Sequence, residues 1–369
     1  MKVRRVSWTP YCIPFRQPFA AAHGIQSERR GMILHLHTDT GLTGLGEAAP
    51  VPGSPAEAWS DVGRLIEAVS SWLPGRRLQE AVHVPEPPGQ LHPAALAAVR
   101  CGLDTAVCDV LARADAVPLA VWLHRQASES VPVNATIALA DAATAAEAAA
   151  RARASGFPCV KLKVGMEASV KAECKRVAAV REARGTGMEL RLDANGAWGV
   201  EQAIDTIQAL EPCGIELVEQ PVTCGEIEAL GRVRAAVRTP VAADEDVTSV
   251  AAAERVLRAG AAQVLIIKPM VVGGLRPARA IIERAQAAGV SCIVTTTLDT
   301  GIGTVAALHL AAILPVPVQA CGLATGGLLA ADLLATPLTV RGGRMQRPDG
   351  HGLGVRLDEQ AVQRHSRTL

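Results

Sequence analysis

The chain has 369 residues, 49% hydrophobic and 20% charged, a composition typical of a globular protein long enough for about two domains. The 37 lysines and arginines nearly balance the 36 aspartates and glutamates, so the formal net charge is +1 and no electrostatic attraction to nucleic acid or an anionic membrane is expected. Aromatic residues make up 2%, which argues against base-stacking surfaces. A small molecule is the partner that remains.

The sequence shows no sign of export or membrane insertion. The N-terminal residues lack the apolar stretch of a secretory signal, and the longest apolar run, 305–317, is interrupted by His309, Pro315 and Pro317. The nine cysteines are odd in number and form no CxxC pair, as expected of free thiols in a reducing compartment. We therefore predict a cytoplasmic protein. The sequence is compatible with a homo-oligomer and does not decide the oligomeric state.

The first part of the chain has the pattern of an α+β domain. Residues 32–37 alternate apolar and polar side chains like a strand, and 41–46 have the glycines of a turn that leads into Glu47. A proline-rich connector then precedes an alanine-rich helix over 94–114. We predict a domain over 1–125, completed by the glycine-rich tail 338–369.

Residues 126–337 repeat a different pattern, in which short apolar runs alternate with segments of helical period. Predicted strands lie at 159–164, 190–192, 215–218, 241–243, 264–267 and 292–296, and predicted helices at 169–183, 200–210, 227–237, 249–259 and 277–288. Alternating βα units imply a parallel sheet, and this many in succession favour closure into a barrel.

Charged side chains follow the predicted strands. Lys161 and Lys163 end one strand, and the next four strands are followed by Asp193, Glu219, Asp244 and Lys268. The intervals from Lys163 onward are 30, 26, 25 and 24 residues, each one βα unit long. Because the carboxyl ends of parallel strands meet at one face of a barrel, we expect these six side chains to converge there.

Three converging carboxylates would repel one another without a cation. An all-oxygen donor set suits a hard divalent ion, Mg²⁺ first and Mn²⁺ second, and the absence of a nearby histidine or cysteine in the motifs disfavours zinc. Lys161 and Lys163 share one strand face at a spacing of two, so each should lower the pKa of the other, as should a divalent cation. A neutral lysine could then act as a base.

These segments resemble the active-site motifs of the enolase superfamily, particularly its muconate-lactonizing subgroup. The matching stretches are Lys161-Leu162-Lys163, Asp193-Ala194-Asn195-Gly196-Ala197-Trp198, Val218-Glu219-Gln220-Pro221, Ala243-Asp244-Glu245 and Ile267-Lys268-Pro269. Gly44-Leu45-Gly46-Glu47-Ala48 and 106–110 also resemble its N-terminal capping domain.

The resemblance implies a modified (β/α)7β barrel with an α+β capping domain. It implies that Asp193, Glu219 and Asp244 bind the metal and that Asn195 and Glu245 orient those ligands. It further implies that Lys163 is the base, that Lys161 is its electrostatic partner and that Lys268 faces the substrate from the other side.

The reaction depends on the seventh and eighth strand ends. Dipeptide epimerases of the subgroup carry an Asp-x-Asp at the eighth strand for the substrate ammonium, whereas 319–326 contains no carboxylate. The stretches 298–303 and 322–325 instead resemble those of o-succinylbenzoate synthases of menaquinone biosynthesis. We therefore expect a lyase that removes a proton α to a carboxylate and eliminates water. An N-acylamino acid racemase is the alternative, followed by muconate cycloisomerase and dipeptide epimerase.

Substrate specificity is expected from loops of the capping domain at 19–27 and 51–54. His23, Thr297 and Gly322 are the predicted contacts to a small-molecule carboxylate substrate. A non-catalytic member of the fold should have lost a lysine or a ligand, and all six positions are intact in this sequence.

Overall fold

The structure is a computed structural model that describes residues 1–21, 24–82, 84–138, 141–167 and 169–366. The side chains of 19–25 and of residue 82 are not part of that description, so His23 lies outside the described residues.

The amino-terminal part of the chain is an antiparallel sheet covered by helices. Strands β1 (Val3–Ala21), β2 (Gly24–Thr38) and β3 (Thr43–Ala48) pair in that order, and helices α1 (Ala56–Trp72), α2 (Pro93–Ala114) and α3 (Leu119–Leu123) follow. Alternate side chains of β2 (Met32, Leu34 and Leu36) are buried in one cluster with Leu65 of α1 and Leu103 of α2. Gly44 and Gly46 allow β3 to approach α2, because a Cβ at either position would collide with the carbonyl oxygens of Ala106 and Gly102.

The remainder is a barrel of parallel strands, as predicted. After the short β4 (Ser130–Pro132), its strands are β5 (Asn134–Ile137), β6 (Cys159–Lys163), β7 (Glu189–Asp193), β8 (Leu217–Glu219), β9 (Val241–Ala243), β10 (Val264–Ile267) and β11 (Ser291–Val294). Each pairs with the next, and parallel bridges of Cys321 with Val133 and of Gly322 with Thr295 close the ring. The (β/α)7β architecture is therefore confirmed.

Helices alternate with these strands around the ring. They are α4 (Ala142–Ala154), α5 (Val170–Arg184), α6 (Val200–Leu210), α7 (Ile227–Ala236), α8 (Val250–Arg258), α9 (Pro269–Val272), α10 (Leu275–Ala287) and α11 (Gly301–Ala311). Ser169 and Ser249 begin α5 and α8 by accepting hydrogen bonds from the backbone N–H groups of Ala172 and Ala252, as helix N-caps do. Among the described helices, none is both long and apolar enough to cross a membrane.

Most predicted barrel elements agree closely with the structure. The strand at 241–243, the strand at 264–267 and the helix at 200–210 have the predicted bounds. Several predictions were wrong in their bounds. The predicted turn at 41–46 ends early, because β3 begins at Thr43, and the strand predicted at 32–37 is part of the longer Gly24–Thr38. The strand predicted at 215–218 spans Leu217–Glu219, and the strand predicted to reach 296 ends at Val294. Three long elements, β1, α1 and α11, were not predicted.

The carboxyl-terminal tail contacts both parts of the molecule. Strands β12 (Val340–Arg341) and β13 (Arg344–Gln346) form a hairpin that pairs with β4, and helix α12 (Glu359–His365) follows. The Asp109 carboxylate of α2 accepts hydrogen bonds from the backbone N–H groups of Leu45 and Leu353 at 2.9 and 2.7 Å. One buried carboxylate therefore connects β3, α2 and the tail.

His309 of α11 joins the barrel to two other segments through its ring nitrogens. Nδ1 accepts from the Ala120 N–H at 3.1 Å, so Nε2 carries the proton and donates to the Leu353 carbonyl oxygen at 3.1 Å. Burial lowers the pKa of His309 to about 4, although the hydrogen bond to Leu353 opposes that effect.

We predict that His309 makes the protein less stable in acid. The neutral ring is favoured in the folded state, so its stabilisation is complete above the unfolded pKa of 6.5 and is lost as the pH falls from there toward about 4. The loss should amount to about 3 kcal/mol of unfolding free energy. His309→Gln keeps one acceptor and one donor but does not titrate in this range. Denaturant titrations at about pH 7 and about pH 4.5 should therefore show a smaller loss of unfolding free energy in the variant than in the wild type. The exposed His351→Gln is the matched control. An unchanged pH dependence in His309→Gln would contradict the assignment.

Candidate active site

The six predicted charged residues converge at the carboxyl ends of the barrel strands. Lys163, Asp193 and Glu219 stand opposite one another in register on β6, β7 and β8. Asp244 and Lys268 follow the last residues of β9 and β10. The convergence expected from one-unit spacing is therefore present.

Each of the three carboxylates is in an ion pair with a lysine. The Asp193 Oδ2 lies 2.8 Å from both the Lys161 and the Lys163 Nζ. The Lys161 Nζ also contacts the two Glu219 oxygens at 3.0 and 3.1 Å, and the Lys268 Nζ contacts the Asp244 Oδ2 at 2.5 Å. The three carboxylates are buried, whereas the side chains of Lys163 and Lys268 are each 23% exposed. These two lysines are therefore the cluster members most open to a ligand, on opposite sides of the ring.

The electrostatics of the cluster reflect an excess of negative charge. Burial raises the pKa of Glu219, and the charges of Asp193 and Asp244 raise it further. Burial alone would lower the pKa of Lys161, but the attraction of Asp193, Glu219 and Asp244 outweighs burial, and the pKa lies above its usual value. The expected lowering of the pKa of Lys161 is therefore not found where carboxylates alone surround it.

Asn195 and Glu245 lie beside this cluster. Asn195 adopts a left-handed backbone conformation with φ of 45°, accepts a hydrogen bond from the Lys163 Nζ at 2.6 Å and donates to the Glu245 Oε1 at 2.9 Å. The side chain thus bridges the lysine to a second acidic residue, and the αL conformation is one that asparagine tolerates better than most residues.

Gln220 and Asp246 are joined to the cluster by hydrogen bonds and were not predicted. Gln220, also at positive φ, accepts a hydrogen bond from the Asp244 N–H at 3.0 Å and donates to the Asp246 Oδ2 at 2.8 Å. Asp246 also accepts from the Gly225 N–H at 2.6 Å. The partners of Asp246 come from the segment after another strand, and nothing in its own segment indicates them.

A cavity of about 490 Å³ lies over the cluster, between the barrel and the capping segments. Its lining includes Lys161, Lys163, Asp193, Asn195, Asp244, Glu245, Lys268, the predicted contacts Thr297 and Gly322, the cap residues Val51–Pro55, His92 and Ala94, and Thr136, Thr248, Val271, Thr295, Thr296, Leu298 and Thr325. A cavity of this size is within the range of small-molecule sites. Away from the strand-end cluster, the described lining residues carry no carboxylate and no lysine or arginine.

The segment after β11 and the segment around Gly322 present small and hydroxyl-bearing residues to this cavity. A Cβ at Gly322 would lie 2.8 Å from the Thr295 Cγ2, so glycine leaves space there that any other residue would fill. The Thr296 and Thr325 hydroxyls lie 2.8 Å apart, while the buried Thr295 Oγ1 has no hydrogen-bond partner in the described part of the chain. The far side of the cavity is thus apolar with scattered hydroxyls.

The donor set fits a hard divalent cation. Three buried acidic side chains (Asp193, Glu219 and Asp244) and the half-buried Glu245 face three lysines, and the buried Glu245 Oε2 accepts no hydrogen bond from the described residues. Burial and the charge of Asp244 raise the pKa of Glu245, another sign of uncompensated negative charge. Within the described ranges, no three histidine, cysteine or acidic side chains are grouped as a ready-made metal site. Binding would therefore exchange lysine ion pairs for metal contacts.

Family comparisons agree with the fold, a barrel whose strand ends carry lysines and carboxylates. A profile described as enolase C-terminal domain-like matches residues 143–361, and one for the N-terminal domain of mandelate racemase / muconate lactonizing enzyme matches 4–123. The chain belongs to the enolase superfamily, in its muconate-lactonizing group.

Curated relatives in this group have different activities. Chloromuconate cycloisomerase of Cupriavidus pinatubonensis is 29% identical over 365 residues, 96% of each chain. N-succinyl-L-Arg/Lys racemase of Bacillus cereus is 26% identical over 84% of each chain. o-Succinylbenzoate synthase of Thermobifida fusca is 39% identical over 211 residues, 57% of this chain and 64% of that one. Family membership therefore indicates an enzyme of this superfamily without selecting its reaction.

A solved structure adds information on the metal. The dipeptide epimerase of Enterococcus faecalis, complexed with Mg and the dipeptide L-Leu-L-Tyr, superposes with a TM-score of 0.86 at 28% identity and covers 96% of this chain and 99% of that one.

Proposed function

We propose that this protein is a Mg²⁺-dependent lyase of the o-succinylbenzoate synthase type, which removes a proton α to a substrate carboxylate and eliminates water. The observation that carries the proposal is the cavity itself. It presents two accessible lysines over the carboxylate cluster and, among its described lining residues, offers no further acidic side chain to a substrate ammonium. The substrate is accordingly a small carboxylic acid without a free amino group.

The metal would be held by Asp193, Glu219 and Asp244, with Mg²⁺ preferred and Mn²⁺ second. When bound, the ion would lower the energy of negative charge that develops on the substrate carboxylate. The cluster holds four acidic side chains, counting the half-buried Glu245, against three lysines, and this excess supports a divalent cation at this position. The magnesium-bound epimerase with the same fold supports it further.

Lys163 is proposed as the base that takes the α proton. Its Nζ is anchored by the Asp193 Oδ2 and the Asn195 Oδ1, yet the side chain is 23% exposed and lines the cavity. Lys161 is 13% exposed and pairs with both Asp193 and Glu219, so it serves as a fixed positive charge. Carboxylates that no cation balances would keep a neighbouring lysine protonated, which is why the base depends on the whole cluster.

The reaction balances through this one lysine. Lys163 Nζ accepts the α proton, the bond from the neighbouring carbon to its hydroxyl breaks, and the lysine returns the proton to the departing hydroxide as water. The ring that remains becomes aromatic. Lys268, paired with Asp244 across the cavity, would stabilise the anionic intermediate as a cation without exchanging a proton. The 39% identity with an o-succinylbenzoate synthase exceeds that of the other relatives named above.

A second candidate follows from the symmetry of the two lysines. Lys163 and Lys268 are equally exposed on opposite sides of the cavity, the arrangement that a two-base racemase of N-acylamino acids would use. An acylated nitrogen also needs no acidic partner. The identity with an N-succinylamino acid racemase supports this alternative.

Asp244→Asn is expected to weaken Mg²⁺ binding by more than about a hundredfold, because even loss of an outer partner of a metal ligand typically costs tenfold to a hundredfold. Calorimetric titration of the folded protein with Mg²⁺ measures this directly, and turnover should be lost in parallel. The exposed Asp205→Asn on α6 is the control that removes a carboxylate elsewhere. An Asp244→Asn enzyme that is fully active in EDTA would overturn the metal assignment.

Replacing the lysines should distinguish the two candidate reactions. Lys163→Ala should lose both turnover and α-proton exchange by about a hundredfold to ten-thousandfold, the usual contribution of a general base. Lys268→Arg keeps a cation that cannot become a neutral base, so a lyase should retain measurable activity while a racemase should lose one direction of isomerisation.

Solvent deuterium incorporation, measured separately from each substrate enantiomer, reports both effects. Lys175→Arg, an exposed change on α5, is the control for general effects of lysine substitution. Wild-type racemisation of N-acylamino acids without dehydration of a succinyl-cyclohexadiene carboxylate would favour the second candidate over the first.

A further inference from the structure

Two walls of the cavity belong to segments far apart in the chain. Residues Val51–Pro55, which follow β3, form one wall, and Thr297 and Leu298, which follow β11, form part of the other. Both segments line the same cavity as Lys163 and Lys268. Their separation therefore affects the space that the site offers a substrate.

The buried guanidinium of Arg29 on β2 connects the two walls. Its Nε donates to the Leu298 carbonyl oxygen at 3.0 Å, and its Nη2 contacts the Asp299 Oδ1 at 3.2 Å and the Thr297 Oγ1 at 3.5 Å. On the other side, Nη2 donates to the Ala49 carbonyl oxygen at 2.9 Å and Nη1 to the Pro50 carbonyl oxygen at 2.5 Å. The side chain is 1% exposed. One residue thus bonds both the segment that enters the cap wall and the segment that forms the barrel wall.

The barrel wall needs such a constraint. Leu298 has φ of 62°, a left-handed conformation that is unfavourable for a branched, bulky residue. The Asp299 Oδ1 accepts from the Thr297 Oγ1 at 2.6 Å, so the charge that pairs with Arg29 also fixes the neighbouring threonine. Without these bonds, Leu298 would relax toward a more favourable conformation and the wall would move.

A second cap residue holds the end of the same segment. The buried Glu47 carboxylate accepts hydrogen bonds from the Thr300 Oγ1 and the Gly303 N–H, each at 2.7 Å, at the start of α11. It also accepts from the Tyr11 hydroxyl. Arg29 is consequently one contact in a longer buried interface between the cap and the barrel.

We propose that Arg29 is a positioning residue that sets the separation of the cap wall and the barrel wall and thereby the fit of the substrate group farthest from the reacting carbon. Lysine cannot replace it, because a single ammonium cannot reach acceptors on both walls in the way that the planar guanidinium does. The inference rests on the proposed function only in that the substrate occupies this cavity.

The test compares Arg29→Lys with Arg30→Lys. Arg30 is the next residue on the same strand, but its side chain is 58% exposed and pairs with Glu28. Hydrogen exchange followed by mass spectrometry on the wild-type and variant proteins, with no substrate present, should show faster exchange in Arg29→Lys in the two segments 49–55 and 296–303 and in no other region. Arg30→Lys should match the wild type.

Kinetics provide the second measurement. For Arg29→Lys, kcat/KM should fall by about tenfold to a hundredfold, with most of the change in KM, because ground-state and transition-state contacts to the far group weaken together. If Arg29→Lys does not fold, Asp299→Asn, which removes the paired charge while keeping an acceptor, should show the same pattern at smaller size.

The outcomes separate this inference from the proposed function. Unchanged exchange in 49–55 and 296–303, or an equal increase throughout the chain, would overturn the positioning role whatever the enzyme catalyses. Local loosening together with wild-type KM would overturn it as well. A wild-type protein without α-proton exchange on any tested carboxylate would instead overturn the proposed function, while the exchange pattern would still test Arg29.

Discussion

The imbalance between four acidic side chains, three of them buried, and three lysines at the carboxyl ends of the strands is the constraint on which the rest of the site depends. The charges of Asp193 and Asp244 raise the pKa of the neighbouring Glu219, and the lysines offset only part of that effect. Burying such a cluster is costly unless the charges are paired. A divalent cation would complete the pairing and release Lys163 and Lys268 toward the cavity. On this account, metal binding and the availability of a base are one electrostatic event.

The barrel alone does not make the site, because one wall of the cavity comes from the cap. Glycines of β3 allow that strand to lie against α2, which places Glu47 at the start of α11 and the 51–55 segment over the strand ends. Arg29 then bonds both walls at once. The barrel supplies the reacting groups and the cap supplies the shape, so substrate choice within the family can change without altering the lysines or carboxylates.

Much of the barrel could be predicted from the sequence because its signals are local. Short apolar strands, helical periodicity and the one-unit spacing of Lys163, Asp193, Glu219 and Asp244 each lie within a few residues or repeat at a regular interval. The long strand β1 was missed because its prolines and charged residues obscure the alternation. Arg29 was missed for another reason: its partners Leu298 and Asp299 are far away in sequence, and an arginine on a strand gives no local indication that it is buried. The reaction itself could not be predicted with the same precision, because it depends on the shape between two walls.

The measurement that tests the central claim most directly is the anomalous scattering of crystals soaked with Mn²⁺. The account predicts one strong peak in the cavity contacted by carboxylate oxygens of Asp193, Glu219 and Asp244, with the Lys161–Glu219 and Lys268–Asp244 ion pairs opened or lengthened relative to metal-free crystals. Intact lysine–carboxylate pairs and no peak at the strand ends, at concentrations that saturate a hard-cation site, would contradict it.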